Sequence, residues 1–194
     1  MSSTATDTPP PAPAAPEFPL LYRLVGEPFL FARRSYGDEL VFHFGERRAD
    51  PPRVIKGREY RYEHGSYSLH VRGSAWVVKA AVGISSGVRD WLAKVDNVPP
   101  EAVRVEAEAS ITPGARVTAV IPFPVTRPDV TGFGLRVEIS DGATVVIIPT
   151  PDNDPEPPPE GVTFEPLADW ELHTPYGNLV VGPGRDARNS QQGA

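Results

Sequence analysis

Short runs in which apolar and polar residues alternate, each closed by glycine or proline, follow one another along almost the whole chain. A period of two sends successive side chains to opposite faces of a strand, so the pattern demands sheets with one face buried. In Leu40-Val41-Phe42-His43-Phe44, Leu40, Phe42 and Phe44 share one face, and Val41 and His43 share the other. Tyr60 and Tyr62 alternate with Arg61 and Glu63; Gly65-Ser66 then offers a reversal into Tyr67 to Arg72. Gly73-Ser74 precedes Ala75 to Val78, and Pro113-Gly114 turns the chain into Val117 to Ile121.

Further on, Leu135, Val137 and Ile139 alternate with Arg136 and Glu138, and Asp141-Gly142 joins them to Thr144 through Ile148 as a hairpin. Trp170 and Leu172 alternate with Glu171 and His173 before a turn at Tyr176-Gly177-Asn178 and a last strand, Leu179 to Val181. This predicts an all-β protein of about 10–12 short antiparallel strands, in a sandwich or a partly open barrel. One short amphipathic helix is expected from Ser86, where Val88, Trp91, Leu92 and Val95 recur at helical spacing before Pro99-Pro100.

The flanks read differently. Residues 1–19, rich in Pro, Ala, Ser and Thr, are expected to be a disordered tail, as are residues 185–194. The folded part is then 20–184, either one domain or two packed β units, 20–82 and 101–184, joined by the helix-containing connection. The prolines and acids from Pro149 to Glu160 suit an edge-protecting excursion and do not suit a central strand.

Composition narrows the chemistry. The chain has no cysteine, which excludes disulfides, thiolate nucleophiles and Cys-type metal sites. No apolar run is long enough to span a bilayer and no signal pattern is readable at the start, so a cytoplasmic protein without a membrane partner is expected. Charge is unevenly divided: residues 21–94 carry 13 Lys/Arg against 8 Asp/Glu, whereas residues 95–184 carry 4 against 14. Such a split points to a protein partner with an acidic patch, or to self-association of basic and acidic faces.

Three of the four histidines, His43, His64 and His70, fall within 28 residues. They are the catalytic candidates, and strand parity places His43 and His70 together on one solvated face. No His-Glu-x-x-His spacing and no Gly-x-Ser-x-Gly elbow accompanies them, and no metal or cofactor is expected. Candidate binding residues are Arg33, Arg47, Arg58, Tyr62 and Arg72, since arginine and tyrosine dominate interaction surfaces.

The leading expectation is therefore a non-enzymatic interaction or assembly module. The alternatives are a small-ligand-binding or hydrolytic β domain with a His/Tyr/Arg site, and a nucleic-acid-binding surface of Arg and Tyr side chains. The acidic second half opposes the last of these.

Overall fold

The structure, a computed structural model, describes residues 18–34, 39–72, 74–80, 83–86, 103–104, 111–127, 130–150, 169–182 and 187–190. The strands are β1 (Phe29–Arg34), β2 (Leu40–Ala49), β3 (Arg53–Ile55), β4 (Arg58–Tyr60), β5 (Glu63–Val71), β6 (Ser74–Ala80) and β7 (Gly83–Ser86). They continue with β8 (Val103–Arg104), β9 (Val117–Thr126), β10 (Thr131–Ile139), β11 (Thr144–Pro149), β12 (Trp170–Thr174), β13 (Gly177–Val181) and β14 (Ala187–Ser190). Sheet 1 has the order β1-β2-β5-β12-β13-β14, sheet 2 the order β8-β7-β6-β11-β10-β9, and β3-β4 is a separate two-stranded ribbon. Pairing is antiparallel throughout except between β7 and β8.

The alternation in the sequence explains the layering. Phe42, Phe44, Leu69, Val71, Trp170, Leu172, Leu179 and Val181 project from sheet 1, and Trp76, Val78, Leu135, Val137, Val145 and Ile147 from sheet 2, into one buried core. That is a sandwich of two open sheets, not a closed barrel. Each sheet draws strands from both halves of the chain. The expected helix lies outside the described residues. A single turn of 3-10 helix, Leu21–Leu24, buries Leu21 and Leu24.

Phe18, at the edge of the segment expected to be a tail, is buried and meets the ring of Phe133 edge-on at 5.5 Å. Strand β14 also lies within a stretch expected to be a tail, and pairs with β13. The predicted turns at Gly114 and Gly142 are present, with φ of 87° and 88°. Both are positions where a left-handed residue is needed and glycine supplies it without steric cost.

The Gly65-Ser66 reversal is a correction. Glu63 to Val71 is one uninterrupted strand, and the chain reverses earlier, at Lys56 (φ 49°) and Gly57 (φ 76°). Gly65 serves a different need: a Cβ there would collide with the Phe44 carbonyl and lie 2.7 Å from the Phe44 nitrogen. Opposite it, the register slips between Phe44 and Arg47, so Gly45 and Glu46 face Ser66 alone. This is a β-bulge with a left-handed glycine, Gly45 (φ 83°), and it re-aims the β2–β5 hairpin where it leaves the sandwich.

Candidate functional site

Two surfaces carry the candidate residues, and both belong to the β2–β5 hairpin. The first is the outer face of sheet 1. Register places His43 opposite Ser68, which faces His173, and Val41 opposite His70, which faces Glu171. Parity thus brings His43 and His70 onto one face of neighbouring strands, as expected. It does not leave them solvated: His43 is only 2 % exposed and Val41 is buried with it.

Aromatic and polar contacts organise this face. His43 packs against Phe31 of β1 with ring centroids 4.6 Å apart, and the Arg47 guanidinium lies over the other part of the cluster, 5.4 Å from the Phe31 ring centre. His70 and His173 stack at 4.5 Å. His173 Nε2 lies 2.9 Å from Glu171 Oε2, His70 Nε2 lies 3.0 Å from Ser68 Oγ, and Arg72 approaches Glu171 at 3.9 Å. His64, nearer the hairpin's exit, faces Asp50 at 3.3 Å.

Electrostatics keep the central imidazoles neutral. Burial, with Arg33, His70 and His64 nearby, lowers the pKa of His43 to about 4. Burial, His173 and Arg72 lower that of His70 to about 4 as well. The hydrogen bond with His173 holds the Glu171 carboxyl below its ordinary value. His43 Nδ1 accepts the Gly65 N–H at 3.3 Å, so the ring proton sits on Nε2, which is buried with no hydrogen-bond partner among the described residues.

Such imidazoles are poor acid–base groups near neutrality. Ser68 and His70 do form a hydroxyl–imidazole pair, but no carboxylate among the described residues hydrogen-bonds the other nitrogen of His70 to orient it. Ser66 Oγ accepts the Glu46 N–H at 3.0 Å and is tied into the bulge. Among the described residues, no group of three or more His, Asp or Glu side chains is placed to hold a metal ion.

The second surface is the ribbon. Residues 51–63 are all exposed, and β3 and β4 continue the β2–β5 hairpin beyond the sandwich as a two-stranded arm. Arg53 pairs with Tyr60 and Ile55 with Arg58, so Arg53, Ile55, Arg58, Tyr60 and Tyr62 share one face of the arm. Tyr60 and Tyr62 stack with ring planes 19° apart. On the opposite face Arg61 is tied to Glu59 at 3.0 Å, and Val54 is 71 % exposed.

The expected binding residues therefore separate into two groups. Arg58 and Tyr62 lie on one face of the arm, while Arg33, Arg47 and Arg72 border the histidine face, where Arg47 pairs with Glu63 at 2.7 Å. Reading the sequence alone misses Phe31, Glu171 and His173 as neighbours of the histidines. Alternation gives their faces, but nothing local shows that β12 joins β5 across about a hundred residues. It also misses Val54 and Ile55; the Lys56-Gly57 turn between two short β-type runs is the signal that would have found the arm.

Among the described residues, no helix is long and apolar enough to cross a membrane. No protein-family model, curated protein or solved structure matches this chain. Fold and surface together define the chain as an all-β sandwich bearing a projecting ribbon, without evident catalytic or metal-binding machinery among the described residues.

Proposed function

We propose that the protein is a non-enzymatic interaction module whose contact element is the β3–β4 arm, and that its partner presents an acidic protein surface. One observation carries this reading: the arm exposes Val54, Ile55, Tyr60 and Tyr62 together with Arg53, Lys56 and Arg58, none of which forms an ion pair with a described residue. A two-stranded ribbon is marginal on its own in water, and exposing apolar side chains on it gains the fold nothing. Tyrosine and arginine are also the residues on which binding energy concentrates. The cations favour an acidic partner and speed its approach.

A photo-crosslinking residue placed at position 54, compared with one at Thr118 on β9, tests the proposal. Crosslinks to a discrete protein are expected from position 54 alone, and Arg58→Glu should abolish them. Equal labelling from both positions, or none from the arm, overturns it.

A further inference from the structure

Eight large hydrophobic side chains are exposed among the described residues, and four of them belong to the arm. Three others, Tyr22, Val25 and Tyr176, are 55 %, 45 % and 57 % exposed, and the topology gathers them at the arm's base. Strand β12 runs from Trp170 opposite Val71 to His173 opposite Ser68, so the β12–β13 turn carrying Tyr176 lies at the end of sheet 1 where β5 meets the arm. Strand β1 enters at the same end, with Phe29 opposite Phe44 and the Gly45 N–H donating to the Pro28 carbonyl at 2.8 Å. Only Ile121 lies elsewhere.

The 3-10 turn before β1 decides which side chains face outward, because side chains three residues apart eclipse in such a turn. Leu21 and Leu24 share the buried face; Tyr22 and Val25, linked by the Val25 N–H to the Tyr22 carbonyl at 3.2 Å, share the exposed one. Arg23, on a third side, lays its guanidinium over the Tyr176 ring, 4.7 Å from the centre, and ties the turn to the β12–β13 loop. The end of the sandwich beside the arm is thus floored by an aromatic and apolar patch that adds nothing to the core. Arg23 makes no ion pair with a described residue, and the Arg116 guanidinium reaches only the Gly26 carbonyl, at 2.7 Å. Against these cations stand Glu27, beside Gly45, and Asp141, whose carboxylate oxygens are spent on the Thr112 and Ala143 N–H groups.

We infer that the binding surface has two parts, and that its partner is an extended acidic segment bearing apolar or aromatic side chains. The acids meet the arm cations, and the apolar groups cover Tyr22, Val25 and Tyr176. This rests on the reading of the arm as the contact element and adds the chemistry of what it holds. The arm tip at Gly57 lies eight residues from Gly65, roughly 26 Å along an extended path. A segment that touches both parts therefore needs about ten residues. Each part then raises the effective concentration of the segment at the other.

Polyglutamate and a random glutamate–tyrosine copolymer of matched length serve as probes, with binding to the full chain read by fluorescence anisotropy. The wild type should bind the copolymer at least ~10-fold more tightly, since its rings can be buried against the floor. Tyr22→Ser combined with Tyr176→Ser should remove that preference and leave polyglutamate affinity within about two-fold, both positions being exposed ones whose change spares the fold. Arg58→Glu should weaken both polymers. No copolymer binding at low salt, equal wild-type affinity for the two polymers, or a preference that survives the double serine variant overturns the inference and leaves the arm to its own crosslinking test. Indifference of both polymers to Arg58→Glu removes the arm reading and the inference with it. Tighter binding of an oligothymidylate than of the copolymer assigns the surface to single-stranded nucleic acid, and self-assembly that the double serine variant abolishes assigns it to a second copy; either result overturns the inference.

Discussion

The indole N–H of Trp170, in sheet 1, donates to the main-chain oxygen of Phe133, in sheet 2, at 2.8 Å. Phe133 lies just beyond Leu135, the residue at which the β10–β11 register ends, so the ladder does not supply that oxygen with a partner. The indole supplies the missing donor in a fully buried position and bolts the sheets together.

Replacing Trp170 with Phe keeps an aromatic ring but leaves the Phe133 oxygen unpaired beside a small void. An expected loss of about 2–4 kcal/mol combines the stranded acceptor with the cavity. Urea unfolding followed by far-UV dichroism measures it, and a loss below ~1 kcal/mol would mean that the bond does not tie the sheets.

Acidification should weaken the fold before the carboxylates protonate. His43 and His70 titrate near 4 when folded, against about 6.5 when unfolded, so the unfolded chain takes up protons first as pH falls. Their contribution is complete above about pH 6.5 and is lost as pH drops towards 4, on the order of 2 kcal/mol per histidine. Unfolding free energies at several pH values for the wild type and His43→Asn isolate this effect. The variant should show the shallower decline between pH 6.5 and 4.

Gly65→Ala inserts a methyl group against the backbone of Phe44 and, at 2.9 Å, the Tyr67 carbonyl. Backbone atoms cannot swing aside as a side chain does, so a cost of about 2–3 kcal/mol is expected. A thermal melt detects it, and an unchanged midpoint would show that the bulge has room to spare.

The arm should contribute little to stability. Val54→Ser or Ile55→Ser touches only exposed side chains, and each should change the unfolding free energy by less than about 0.5 kcal/mol. Either change should nonetheless weaken whatever contact the arm makes. A destabilisation above ~1 kcal/mol would instead reveal the ribbon as part of the folded core.

Alternation made most of the sandwich readable. The inward sets Leu40-Phe42-Phe44, Leu135-Val137-Ile139 and Trp170-Leu172 are visible from parity alone, as is the common face of His43 and His70. Burial of that face was not legible, because a histidine beside a valine looks the same in sequence whether water or another side chain covers it. Proline misled at β9: Pro122 and Pro124 suggest an end near Ile121, yet an edge strand needs no donor on its open side and runs on to Thr126. Gly65 misled in the other direction, since close approach and turning call for the same residue. Strand order was out of reach because it depends on pairings between distant segments.

The pairing of Val71 with Trp170 has a consequence for synthesis. Strand β5 sits in the middle of sheet 1, but the neighbour that covers one of its edges is made 99 residues later. As the chain leaves the ribosome, β1, β2 and β5 can join as a three-stranded sheet whose apolar side waits for sheet 2 and whose free edge waits longer still, for β12. A truncated product ending before Trp170 would carry that open edge permanently, which makes the arrival of β12 a checkpoint on whether a newly made copy is fit to persist.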